Sequence, residues 1–214
     1  MLKKLYIVFV VLFIAGGCAT DDRRVPIIVS KTNLDDNPVR LDTPSLDETN
    51  RSSETMDVPG SWVPPSSIER DWQAIVIHHS ATETGNAAIF DRWHKEERHW
   101  DGIGYDFVIG NGTDSGNGQV EVTFRWRRQI TGAHCKTPGN WANEKAVGIC
   151  LVGNFDYQRP TERQIESLVR LVRFLQMRYD IPQSRIYGHN STPGARVTDC
   201  PGRNFPLAGL KSML

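Results

Sequence analysis

Apolar positions along this chain change their spacing so as to alternate strands with helices. Trp72 to His78 is an apolar run rich in isoleucine and valine, the pattern of a central strand buried on both faces. Asn86 to Trp100 reads as a helix, with Ile89, Phe90 and Trp93, then Glu97 or Trp100, recurring at helical spacing. Ile103 to Gly110 predicts a strand with Tyr105 near its start, Asn111 to Gly118 a glycine-rich turn, and Gln119 to Trp126 an alternating strand, together a hairpin with a long tip. Lys136 to Lys145 reads as a polar loop, and Ala146 to Val152 as another buried strand. Thr161-Glu162-Arg163-Gln164 has the form of a capping box, and Ile165, Leu168, Val169, Val172 and Leu175 follow at helical spacing. That helix ends near Asp180. Arg185 to His189 leads back towards the strands, and Phe205 to Leu214 closes the chain as a short helix. The alternation predicts an α/β domain, a mixed central β-sheet flanked by helices.

The first sixty residues follow different rules. Met1 to Lys4 is basic, Leu5 to Ala15 is apolar, and Gly16-Gly17-Cys18 supplies small residues, as in an export signal over residues 1–17. The apolar run is too short for a comfortable membrane span. Ala15-Gly16-Gly17-Cys18 resembles a bacterial lipobox, in which the cysteine is lipidated and becomes the mature N-terminus; Ala15 departs from the usual leucine. The alternative is a plain secretory signal with an incidental cysteine. From Ala19 to Gly60 acidic residues outnumber basic ones, aromatics are absent, and Ser, Thr, Asn and Pro are frequent. Such a segment buries too little apolar surface to offset its ordering entropy, so residues 18–60 read as a lipidated cysteine and a disordered tether. Val25 to Val29 is its one candidate strand, with no obvious partner. Residues 61–214 remain, enough for one domain with its own core. The 25 basic and 25 acidic residues cancel, so net charge gives no reason to expect nucleic-acid binding.

The candidate chemistry gathers near the C-terminus. Gly188 to Gly202 is a loop rich in Gly, Pro, Ser and Thr that carries His189 and Cys200, an imidazole and a thiol, both good zinc ligands. A metal needs more than two protein donors, and the apolar run that ends abruptly in His78-His79 is the best source of a third. His94 and His99 read as surface or packing residues.

Five segments occur in the order seen in type 2 N-acetylmuramoyl-L-alanine amidases, a family that includes the peptidoglycan recognition proteins and amidase-type phage lysozymes. They are Ile75 to Thr82, Gly104 to Ile109, Gly132-Ala133-His134, Val147 to Asn154, and Gly188-His189 through Asp199-Cys200-Pro201-Gly202. The resemblance runs from about Trp62 to the end. It implies a single zinc amidase domain with Zn2+ held by His78, His189 and Cys200, leaving one position open for a water of lowered pKa. It further implies catalytic roles for Tyr105 and Thr198, and a substrate groove lined by His134 and Asn143. His79 is expected to pack or hydrogen-bond behind the metal. Asn190-Ser191 stand where many relatives have Arg-Asp, Asp106 stands where histidine is common, and Cys150 replaces a catalytic glutamate of some relatives. The loop from Asn111 to Gly118 looks longer than usual.

The expected function is cleavage of the amide between N-acetylmuramic acid and L-alanine in peptidoglycan or muropeptides. The expected form is a monomer that binds no nucleic acid and is held to a membrane by lipid on Cys18. Its place is the bacterial cell envelope, facing the periplasm. Ala19 lacks the acidic inner-membrane retention signal, which favours the outer membrane where a host has one. Two other readings stand beside this one: a peptidoglycan-binding module without catalysis, and a thiol hydrolase with Cys200 as nucleophile and His189 as base. Cys135 and Cys150 are left either as a disulfide or as free apolar residues.

Overall fold

A computed structural model describes residues 56–214. The expected export signal, Cys18 and the Val25 to Val29 strand lie outside the described residues. Packing against the core begins before Ser61, since Met56 and Val58 already lie on it. Among the described residues no helix is long and apolar enough to cross a membrane.

Five strands form one sheet, β1 (Ala74–His79), β2 (Phe107–Ile109), β3 (Val120–Val122), β4 (Ala146–Leu151) and β5 (Ile186–Gly188). Their order is β3-β2-β4-β1-β5. All pairs are parallel except β2 with β3, so the sheet is mixed. The two six-residue strands, β1 and β4, are buried at every position, as their unbroken apolar runs require.

Helices cover both faces. On one, which we call the back, Ile75, Ile77, Phe107, Ile109, Val147, Ile149 and Leu151 form the main core with Leu168, Leu171, Val172 and Leu175 of the long helix Glu162–Tyr179. That helix starts in the expected capping box, Thr161 and Gln164 each accepting from the other's backbone N–H, an arrangement worth ~1 kcal/mol. The front face is built of smaller residues. Ala74, Val76 and Ala146 there meet Cys135 and Ala142, while Val108, Cys150 and Val152 meet Phe90 and Ile103. In chain order the helices are α1 (Ala87–Glu96), α2 (Phe124–Arg128), α3 (Trp141–Lys145), α4 (Glu162–Tyr179) and α5 (Leu207–Ser212).

Four expectations need correction. The alternating segment from Gln119 is a strand only to Val122. Thr123 then caps α2, accepting from the Arg125 N–H at 3.2 Å, and the helix buries Trp126 beside Trp72 and Phe107. Lys136 to Lys145 is not all loop: Trp141–Lys145 forms a short helix, α3, whose Ala142 N–H donates to Thr137 Oγ1. The helix expected over Asn86 to Trp100 ends at Glu96, and His99 takes a left-handed backbone (φ 55°). Its buried face runs through Phe90 and His94, whereas Trp93 is 45% exposed and Trp100, beyond the helix, is 42% exposed. The strand expected from Ile103 pairs only from Phe107.

Asp106 is a fully buried carboxylic acid. Oδ2 accepts from the Gly148 N–H at 2.8 Å, while Oδ1 finds no partner among the described residues. Burial pushes its pKa up to about 7. Between the ordinary carboxylate range and about pH 7 the unfolded chain is ionised here and the fold is not, so this group makes stability fall as pH rises through that window. The buried histidines pull the opposite way, and comparison with Asp106→Asn cancels them. The stability of Asp106→Asn relative to wild type is expected to rise by a few kcal/mol, roughly 1.4 per pKa unit, between pH 4 and pH 7, read by urea denaturation of both proteins.

Candidate active site

Parallel pairing brings the carboxyl ends of β1, β4 and β5 together, where open α/β sheets bind ligands. Successive side chains of a strand point to opposite faces, so the adjacent histidines at the end of β1 are separated. His78 points forward with Ala74 and Val76. His79 points back, where its Nδ1 accepts from the Phe155 N–H at 3.1 Å and its ring lies against Phe155. Ile77 pairs with Gly188, so His189 leaves β5 level with His78.

The loop after β5 is tied down by its own polar residues. Ser191 Oγ accepts from the Gly188 N–H, and the hydroxyls of Ser191 and Thr192 both donate to the Gly188 carbonyl. A Cβ on Gly188 would lie 2.8 Å from Pro201 Cδ, so only glycine lets the returning loop approach this closely. The Asn190 N–H donates to the Cys200 carbonyl at 2.7 Å, and the His79 N–H donates to Cys200 Sγ at 3.4 Å. Cys200 is thereby fixed to both β1 and the end of β5.

The ligand atoms of His78, His189 and Cys200 consequently lie within 4.8 Å of one another. His78 Nδ1 stands 3.6 Å from Cys200 Sγ. Zn–N and Zn–S bonds of about 2.0 and 2.3 Å at a tetrahedral angle require a separation of ~3.5 Å, close to this, so the donor set fits zinc in both chemistry and spacing. His78 is 1% exposed, and burial with its neighbouring histidines holds its pKa well below the ordinary imidazole value. Burial pushes the Cys200 thiol up to about 12. A cation must therefore displace the thiol proton to gain this ligand.

The other expected residues surround this point in different ways. The Tyr105 ring lies 5.2 Å from that of His78. Burial and the nearby thiols raise the Tyr105 pKa well above the usual phenol value, so it stays a donor. Thr198 Oγ1 accepts from the Cys200 N–H at 3.2 Å, which leaves its own O–H free to donate. His134 stands beside His78, its Nδ1 3.0 Å from His78 Nε2, and burial lowers its pKa to about 3. Asn143 is engaged through Oδ1 by the N–H groups of His134 and Cys135, and it donates to Asn140. Cys135 and Cys150 are free and belong to separate packing clusters.

A cleft of about 490 Å³ passes over this region, with His134, Asn143, His189 and Thr198 in its wall and Lys136 and Arg196 as its cations. Tyr105 opens instead on a neighbouring cavity of about 270 Å³ with Trp93 and His94. The His78 ring, 4.7 Å from His189 and 5.2 Å from Tyr105, has a member of each cavity as neighbour.

The site roles of four residues were not legible in the sequence. Arg125, buried, donates to the carbonyls of Ile103 and Thr131 and so ties together the segments that carry Tyr105 and His134. His94 Nδ1 accepts from the Gly104 N–H at 3.2 Å, next to Tyr105. Trp93 and Trp100 flank the His94 ring and face the two cavities. Helical spacing counts both among the apolar positions of the helix, and the structure leaves them exposed.

The sequence pattern that defines the N-acetylmuramoyl-L-alanine amidase family matches residues 69–203. Peptidoglycan-recognition protein SC2 of Drosophila melanogaster is 33% identical over 139 residues, 61% of this chain and 68% of that protein. The human N-acetylmuramoyl-L-alanine amidase is 29% identical over 119 residues, 55% of this chain but 18% of that protein. Among solved structures, N-acetylmuramoyl-L-alanine amidase LysC from Clostridium intestinale URNW superposes with a TM-score of 0.56 at 32% identity, covering 72% of this chain and 93% of that one. Wild-type Drosophila PGRP-LB gives 0.51 at 26% identity, covering 67% and 84%.

Zinc loading is expected to release about one proton per site near neutral pH, from Cys200, measured by calorimetry in buffers of different ionisation enthalpy. In Cys200→Ser that release should fall by about one proton per site and zinc affinity by at least tenfold. Undiminished proton release in the variant would assign it to another group.

Proposed function

This chain belongs to the N-acetylmuramoyl-L-alanine amidase family, and from that premise we propose that it is a zinc-dependent hydrolase of peptidoglycan, cleaving the amide between N-acetylmuramic acid and the L-alanine of the stem peptide. The observation that carries the reading is the convergence of His78, His189 and Cys200 within 4.8 Å, with Tyr105 and Thr198 beside them.

His78, His189 and Cys200 would hold zinc, which when bound supplies a water of lowered pKa and polarises the amide carbonyl. Tyr105, kept protonated, donates its hydrogen bond where the carbonyl oxygen gathers negative charge. Thr198, steadied through the Cys200 N–H, presents its free hydroxyl to the same carbonyl. The two cavities on either side of the His78 ring offer places for the sugar and peptide arms that flank the scissile bond. Lys136 and Arg196 suit the carboxylates of a stem peptide, and exposed tryptophans suit the faces of a sugar. Anchoring through lipid on Cys18 in the cell envelope, with the outer membrane favoured, belongs to the same proposal and rests on the sequence.

The recognition proteins among the relatives favour a second reading, binding without cleavage. Retention of a complete His-His-Cys set with Tyr105 supports catalysis over it. A thiol nucleophile at Cys200 is disfavoured because burial raises its pKa and lowers that of His189, so the pair stays neutral.

Purified peptidoglycan incubated with the protein should release stem peptides beginning with L-alanine, detected by mass spectrometry, and a zinc chelator should abolish that release. Binding without any release would establish the recognition reading. Tyr105→Phe is expected to lower kcat by ~10²–10³ with little change in KM or zinc content, the signature of a donor that acts chiefly in the transition state.

A further inference from the structure

We propose that His134 is a positioning residue that acts through His78, setting the tautomer in which His78 Nδ1 is the bare nitrogen facing the metal point. The inference rests on the reading of His78, His189 and Cys200 as metal ligands.

Two ring nitrogens 3.0 Å apart, His134 Nδ1 and His78 Nε2, form a hydrogen bond only if one carries hydrogen and the other does not. The direction is set at the far side of His134. Its Nε2 lies 3.3 Å from the Ala146 carbonyl oxygen, which can only accept, so Nε2 carries hydrogen. In the neutral ring Nδ1 is then bare and accepts. His78 Nε2 must donate, which leaves His78 Nδ1 without hydrogen, 3.6 Å from Cys200 Sγ. A chain of defined direction thus runs from a backbone carbonyl of β4, through two imidazoles, to the nitrogen a metal needs.

The surroundings of His134 hold the ring to this task. A Cβ on Gly148 would come within 2.5 Å of His134 Cδ2, and one on Gly132 within 2.6 Å, so glycine at both positions makes room for the ring. Its backbone N–H donates to Asn143 Oδ1 at 2.8 Å, and Asn143 is itself held by Asn140. With both ring nitrogens engaged, His134 offers the cleft an edge rather than a free hydrogen-bonding group. Asn143 acts one step further out, as the clasp of the loop that carries His134.

The test begins on metal-free wild-type protein near neutral pH, where two-bond ¹⁵N–¹H correlations report the tautomer of each histidine. Both His78 and His134 are expected as Nε2–H forms; hydrogen on Nδ1 of His78 would overturn the proposal. Zinc titration follows on two variants. His134→Leu, which lacks an acceptor, should bind zinc ~10–100-fold more weakly and show mixed His78 tautomers. His134→Asn, which can place an amide oxygen near the lost Nδ1, should recover most of that affinity. Wild-type affinity in His134→Leu would equally overturn the proposal. If His134→Leu does not fold, as seen from its amide spectrum, the wild-type tautomers decide alone. Failure of wild type to take up zinc would count against the metal reading itself, whereas the tautomer is read without metal.

Discussion

The parallel pairing of β1 with β4 on one side and β5 on the other is the constraint from which the site follows. It sets His78 opposite Cys150 and brings Gly188 level with Ile77, so His189 emerges beside His78 although over a hundred residues separate them. The third member, Cys200, arrives on a loop whose hydrogen bonds end on the same two strands. Three ligands from distant parts of the chain can be held to a few tenths of an ångström only if the strand ends that carry them are rigid. Complete burial of β1 and β4 provides that rigidity.

The two faces of the sheet divide the work. Large side chains on the back lock against α4 and supply most of the apolar burial. The front substitutes Ala74, Ala146 and Gly148 for bulk, and into the space come Cys135, Ala142 and the His134 ring. Small residues inside a buried strand would weaken a structure that had no other core. Here the back face carries that load, which frees the front to hold polar groups whose hydrogen bonds are nearly all made.

Elements whose signal is local were legible in the sequence. The strand of Ile75 to His78 and the helix behind the Thr161 capping box each declare themselves within a few residues, whereas the separate roles of His78 and His79 came from the family resemblance. Short helices were hidden, because α2 and α3 are five residues each and too brief to show a 3.6-residue period. Phe124 to Trp126 looked like the end of an alternating strand because Thr123 serves equally well as a strand residue and as a helix cap. The contacts of Arg125, His94 and His134 are tertiary, joining segments whose approach no spacing encodes. Asn190-Ser191 stand where many relatives have Arg-Asp, and here the hydroxyls of Ser191 and Thr192 close the turn on Gly188.

The central claim is that one sheet end assembles a two-imidazole, one-thiolate zinc centre. Zinc K-edge X-ray absorption on the loaded protein tests it most directly. The account predicts one sulfur scatterer at about 2.3 Å and two imidazole nitrogens at about 2.0 Å, with a fourth light-atom ligand. A shell of oxygen and nitrogen alone, or two or more sulfurs, would contradict it.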